Sequence, residues 1–193
     1  ATSVRGYFRI QSNNQFDLTN VVTAYFTAAN PRSYYSDVLA YGPGAQALVT
    51  EGLAVLDAQG FNFNQFDGDG DGRVDGISIM YAGEVENAWA EGLWPHAGLV
   101  GWDGFLAHGL TKQVNYNISA VTASLTIGTV CHELGHMALK LPDLYPYYGS
   151  ASSVDKFCLM GGGTWGGGGK HPTSLCAPFK NNVGWATILD AES

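Results

Sequence analysis

The stretch TVCHELGHMALKLPD, residues 129–143, gathers the residue types that bind a metal ion and move protons. On a helix, side chains four positions apart share a face, so His132 and His136 can turn two imidazole nitrogens towards one ion. Glu133 then lies beside that ion without ligating it. A carboxylate there can take a proton from zinc-bound water and pass it to a leaving amine. This H-E-x-x-H spacing needs both rings neutral and a third protein ligand. The plain alternative is an ordinary amphipathic helix that carries two histidines.

The surroundings favour the metal. Ile127, Gly128, Val130, Leu134 and Gly135 are apolar and small, which leaves little room for water away from the histidine face. Glycine inside a helix costs about 1 kcal/mol relative to alanine, so Gly135 points to a close packing partner. Pro142 ends the helix and Asp143 follows at once, where a turn would swing a carboxylate back to the ion. Downstream, FCLMGGGTW sets Met160 before three glycines. This resembles the Met-turn that forms the hydrophobic floor below zinc in metzincin peptidases; a buried gap-filling methionine is the alternative.

A second cluster is acidic. In DGDGDGRVDG, Asp67, Asp69 and Asp71 alternate, followed by Gly72, the backbone of Arg73, and Asp75. These match positions one, three, five, seven and nine of an EF-hand-like calcium loop, with the glycine at the sharp turn. The twelfth position is Ser78 instead of a bidentate glutamate, so the loop is not a complete EF-hand. Four carboxylates this close repel one another without a cation. The expected role of calcium is structural; a solvated acidic turn is the other reading.

The elements that must hold these residues read as an α+β chain. VRGYFRI and FDLTNVVTAYFTA, rich in aromatic and β-branched residues, read as strands, although the first could be a helix end. GPGAQALVTEGLAVLDAQG starts at Pro43, repeats apolar residues at Leu48, Val49, Leu53 and Leu56, and stops at Gly60, as a helix of about four turns does. ISIMYAG reads as a buried strand, EGLWPHAGLVGWDG as a loop, and LAHGLTKQVNYNISAV as edge strands. The histidine helix is expected over Ser124–Leu139, and APFKNNVGW offers a last helix.

Composition excludes several classes. The 193 residues suit one domain, and 46% hydrophobic with 13% charged residues describes a chain that folds. A net charge of -8 without any basic cluster makes nucleic acid an unlikely partner. No apolar run is long enough to cross a bilayer, and the first residues lack a signal-peptide layout, so any export signal is expected to have been removed. Three cysteines allow at most one disulfide; Cys158 and Cys176 flank the same glycine-rich segment and are the favoured pair, leaving Cys131 as a buried free thiol. GGGGKHP lacks the Ser or Thr of a phosphate loop, and no G-x-S-x-G nucleophile elbow is present. Asn117 opens a glycosylation sequon of meaning only in a eukaryotic secretory pathway.

HELGHMALKLPDLY, LMGGGTW, AGE with the later LWPH, and the acidic loop occur in the order found in the immune inhibitor A family of zinc metallopeptidases, which the chain resembles from about Val4 to Trp185. The resemblance implies a metzincin-like catalytic domain over 1–193, a twisted sheet with a zinc-carrying helix and a loop-rich lower subdomain, and an extended peptide substrate along a sheet edge. It implies zinc on His132, His136 and an aspartate, Glu133 as general base, and a secreted, extracellular protein, in a family that usually carries a propeptide and further domains. A monomer is expected. One departure stands out: the family reads H-E-x-G-H-x-x-G-L-P-D, whereas here one more residue separates His136 from Asp143 and no glycine stands where the helix breaks. Asp143 is the nearest third ligand; Asp155, His171, Asp190 and Glu192 are the others downstream. A glutamate ligand on a later helix has only Glu192 to offer. For transition-state stabilisation Tyr145, Tyr147 and Tyr148 follow the ligand turn and His96 lies in a WPH loop that resembles a family motif, and none is assigned.

The expected activity is endopeptidase cleavage of protein or peptide substrates. The alternative is an inactive secreted, calcium-stabilised binding or adhesion domain that keeps the zinc site. A purely structural zinc has no use for Glu133 as a base.

Overall fold

The computed structural model describes residues 3–36, 42–85, 91–100, 114–122, 126–146 and 153–189. Ser124, Tyr147, Tyr148, Asp190, Glu192 and residues 106–113 lie outside them. In chain order the elements are α1 (Val4–Gln11), α2 (Arg32–Tyr35), α3 (Pro43–Ala58), β1 (Val74–Ala82), β2 (His96–Val100), β3 (Val114–Val121), α4 (Gly128–Leu139) and α5 (Ala177–Asn182). Short 3-10 turns fall at Phe63–Phe66, Asp155–Phe157 and Gly162–Trp165. The mixture of helices with a small sheet agrees with an α+β class. The chain divides into two compact units, one of residues 23–124 and one that joins residues 1–22 to 125–193.

The first of these units holds the sheet. β3 is its centre, parallel to β1 and antiparallel to β2, with Ile79 opposite Ile118 and Gly98 opposite Tyr116. Two sequence expectations change here. Val114–Val121 is the central strand and not an edge, which its burial explains: Val114, Tyr116 and Ile118 face one core while Asn117 and Ser119 are also buried on the other side. The stretch read as a loop contains β2, whose alternation is masked by Pro95 and two glycines.

α3 forms as its sequence foretells. Pro43 stands at its first turn, where the missing N–H costs nothing, and Gly60 follows its end at a φ of 75°. Ala45, Leu48, Val49 and Leu53 pack with Phe63, Val74, Val114, Tyr116 and Ile118 in one hydrophobic core. Asn117 is fully buried and its side-chain amide donates to Ser78 Oγ at 3.0 Å, so the sequon is not at the surface.

The second unit is built from helices and turns. Its first segment is a helix, not a strand: the Ser3 hydroxyl accepts the Gly6 N–H at 3.0 Å and caps α1, which buries Tyr7 and Phe8. The cap outweighed the β propensity of the aromatic residues. Residues 16–28, which run from this unit into the other and also read as a strand, have no regular structure, and Val22 and Tyr25 are each 87% exposed. Without a partner to bury them, their β propensity has nothing to pack against. Phe8 stacks edge-on with Phe16 and Trp185, and the Tyr7 hydroxyl donates to the Thr173 carbonyl at 2.6 Å. Together they tie α1 to the chain's C-terminal part, and α1 also packs on α4.

Candidate metal centre

α4 is buried almost all round, with Val130, Cys131, His132, Glu133, Leu134, Gly135 and Met137 all inside. It begins at Gly128, four residues later than expected from Ser124, against the glycine-rich tract. A Cβ on Gly128 would come within 2.0 Å of the Thr164 carbonyl oxygen, and its N–H donates to the Gly169 carbonyl at 2.8 Å. Backbone meets backbone here, which only a glycine allows.

The same logic holds on the histidine face. A Cβ on Gly135 would sit 2.6 Å from Met160 Sδ, so the fully buried Met160 lies directly on the helix between the turns that carry His132 and His136. The close partner that Gly135 called for is Met160.

His132 and His136 meet at right angles, with ring centroids 4.7 Å apart. Each Nδ1 faces a backbone carbonyl, that of Leu159 at 3.0 Å for His132 and that of Leu141 at 2.6 Å for His136. A carbonyl only accepts, so the protons of the neutral rings sit on Nδ1 and both Nε2 atoms carry lone pairs. Those Nε2 atoms are 3.1 Å apart, and Asp143 Oδ1 stands 3.0 Å from the first and 3.2 Å from the second. Three electron-rich atoms thus form a triangle that repels itself unless a cation fills it. Ligand atoms about 2.0–2.1 Å from a tetrahedral zinc stand roughly 3.3 Å apart, so this donor set fits that ion with little adjustment.

The turn that delivers Asp143 solves the problem of the additional residue. Lys140 adopts the left-handed conformation, φ 55° and ψ 31°, and ends the helix where a glycine would be ordinary. Its N–H returns to the His136 carbonyl, Leu141 N–H to the Gly135 carbonyl, and Lys140 Nζ donates to the Met137 carbonyl at 2.7 Å. Beyond the turn, Leu144 N–H donates to the Met160 carbonyl at 2.7 Å. Asp143 is therefore fastened on both sides, by Leu141 to a histidine ring and by Leu144 to the floor.

Glu133 is 5% exposed, and burial pushes its carboxyl up to about 7, against the two neighbouring imidazoles, which lower it. His136 is pulled down by burial, yet the hydrogen bond and charge of Asp143 more than offset this and leave it raised. The half-buried Tyr145 lays its ring against His132 at 5.7 Å, and burial, then the charges of Asp143 and Glu133, raise its hydroxyl to about 12. Asp155 and His171 are not among the side chains that converge with the histidines. His96 starts β2 in the other unit, where its Nδ1 donates to the Trp94 carbonyl at 2.6 Å and its Nε2 accepts from the Tyr116 hydroxyl at 3.0 Å. Burial lowers its pKa, as suits a neutral ring built into the sheet. What the sequence reading missed are the two orienting carbonyls and the contact of the Tyr145 ring with His132. Backbone acceptors have no side-chain signature, whereas the tyrosine two residues past Asp143 was in view and only its orientation was not.

In the acidic loop, Asp67, Asp69 and Asp71 converge, with ligand oxygens within 4.8 Å of one another. Asp75 is not among these converging oxygens but reaches back to the start of the loop, where it accepts the Gly68 N–H at 2.9 Å. Asp67, Asp69 and Asp71 also accept the backbone N–H groups of Gly72, Asp71 and Arg73, which shapes the loop in advance.

A family model for the catalytic domain of immune inhibitor A, peptidase M6, matches residues 1–186. Immune inhibitor A of Bacillus thuringiensis subsp. alesti is 28% identical over 228 aligned residues, which cover 96% of this chain and 33% of that protein. The chain thus spans about a third of that relative's length. No solved structure matches it. With the match running through the histidine helix, the Asp143 turn and the Met160 segment, the chain belongs to the immune inhibitor A family of M6 peptidases.

Proposed function

We propose that this chain is a zinc-dependent endopeptidase domain, with His132, His136 and Asp143 as ligands and Glu133 as the proton carrier. The observation that carries it is the triangle of two histidine Nε2 atoms and one carboxylate oxygen, 3.0–3.2 Å on a side, beside a buried carboxyl. Bound zinc supplies a Lewis acid that polarises a peptide carbonyl and lowers the pKa of water towards about 7. Glu133, almost wholly buried beside the two histidines, takes a proton from the attacking water and returns it to the departing amine nitrogen. The Leu159 and Leu141 carbonyls hold the rings in the tautomer that leaves Nε2 free. Met160 fills the space under the pair, in the role of a metzincin floor. The metzincin-like arrangement of a single domain, the monomeric state and an extracellular location, where protein substrates and calcium are both at hand, belong to the same proposal.

Calcium on Asp67, Asp69 and Asp71, with the Arg73 carbonyl and Asp75 at the rim of the loop, is proposed as a structural ion. The convergence of three carboxylates supports it.

Hydrolysis of casein by purified protein of measured zinc content is the deciding experiment. One zinc per chain is expected, with activity lost on chelation, restored by zinc, and reduced about 10²–10⁴-fold by Glu133→Gln at unchanged zinc content. If wild type, Glu133→Gln and chelated protein behave alike, the peptidase reading fails and the inactive binding domain replaces it.

A further inference from the structure

Cys158 and Cys176 come from opposite ends of the glycine-rich tract and meet. Cys158 follows the turn Asp155–Phe157 in extended backbone and is fully buried, whereas Cys176 is the half-exposed residue that precedes α5. The Cys176 N–H donates to Cys158 Sγ at 3.3 Å, which brings the two cysteines side by side. Beside them Leu159 N–H donates to the Ser174 carbonyl at 3.1 Å, so the two segments are already held backbone to backbone. The third cysteine, Cys131, is buried within α4.

We propose that Cys158 and Cys176 are a redox pair whose disulfide clamps the backbone lying under His132 and His136. Cys158 is followed at once by Leu159, whose carbonyl orients His132, and then by Met160, which rests on Gly135. Joining two thiols releases two electrons and two protons, so forming the bond requires an oxidant. A small-molecule disulfide of the glutathione class suffices. The Cys176 thiolate attacks one of its sulfurs and expels the first thiolate; Cys158 Sγ then attacks Cys176 Sγ and expels the second. The cysteines give up two protons and two electrons, and the oxidant leaves as two thiols. This order follows from exposure, because Cys176 is the one within reach of a reagent, while burial keeps the Cys158 thiol high, at about 11.

The proposal stands apart from the peptidase reading and is tested without activity. The whole chain is equilibrated with oxidised glutathione, quenched with acid, alkylated under denaturing conditions and mapped by mass spectrometry. A peptide pair linked through Cys158 and Cys176 is expected, two hydrogens lighter than its reduced counterpart, with Cys131 alkylated. Thermal unfolding of the oxidised protein should lie about 6–12 °C above the reduced protein, a difference that Cys176→Ser removes. Alkylation of both Cys158 and Cys176 after oxidation, stable mixed disulfides with glutathione, or linkage of either to Cys131 each overturns it. The mass map on the unmutated chain decides even if the variant folds poorly.

Discussion

Glu133 and Asp143 are two carboxyls that feel the same pair of imidazoles, and their surroundings give them different work. Asp143 is a quarter exposed and points an oxygen at both Nε2 atoms. Glu133 is almost wholly buried, and its carboxyl is raised because burial disfavours its charge. On the proposed reading, Asp143→Ala lowers zinc affinity by at least about 10-fold, since even outer partners of zinc ligands are worth that much, whereas Glu133→Gln leaves affinity intact. Competition with a chromophoric chelator measures both, and a Glu133→Gln protein that loses its zinc would reverse the assignment. The histidine spacing and the neighbouring glutamate were legible from residue types alone, because a helix dictates which side chains share a face. The ring tautomers were not, since they depend on carbonyls of Leu141 and Leu159 that only folding brings near.

At the scale of the element, α4 is bounded by two backbone demands. At its start Gly128 touches the Thr164 carbonyl, so Gly128→Ala is expected to cost about 3 kcal/mol by overpacking. This exceeds the roughly 1 kcal/mol that alanine gains over glycine within a helix, and a lowered midpoint in urea would register it. At the other end Lys140 holds a left-handed conformation that costs an L-residue about 1–2 kcal/mol, partly offset by its ammonium on the Met137 carbonyl. Lys140→Gly should therefore be more stable than Lys140→Ala by about 1 kcal/mol, measured by the same unfolding; equal stabilities would show that the turn carries no strain. The departure from the family spacing does not keep Asp143 away, because the chain turns at the left-handed Lys140 and Asp143 reaches both histidines. Local preference misled elsewhere: Val4–Gln11 looked like a strand until a serine cap and a buried Tyr7–Phe8 face made it a helix.

At the scale of the molecule, the acidic loop and the histidine–aspartate triangle belong to different compact units and share no ligand, so removing a carboxylate from one leaves the other donor set complete. Calcium at about 100 times its dissociation constant adds roughly 2.7 kcal/mol of stability, or about 5–10 °C in Tm for a chain of this size. Asp69→Ala should abolish that rise and leave zinc content unchanged, as calorimetry with metal analysis would reveal. A rise that survives the substitution would place the calcium elsewhere. A chain of net charge -8 has reason to neutralise three converging carboxylates, because their mutual repulsion falls on the short connection between the turn Phe63–Phe66 and β1.

The amino-acid order alone marked the candidate metal ligands, α3, the C-terminal end of the histidine helix and the family, because these depend on residue types and their spacing along the chain. Only the tertiary structure decided that Asp143 closes the triangle, that Met160 lies on Gly135, and that Val114–Val121 is the centre of its sheet. Each of those contacts joins residues whose separation in the chain says nothing about their distance in space, and packing alone chooses among the possible partners.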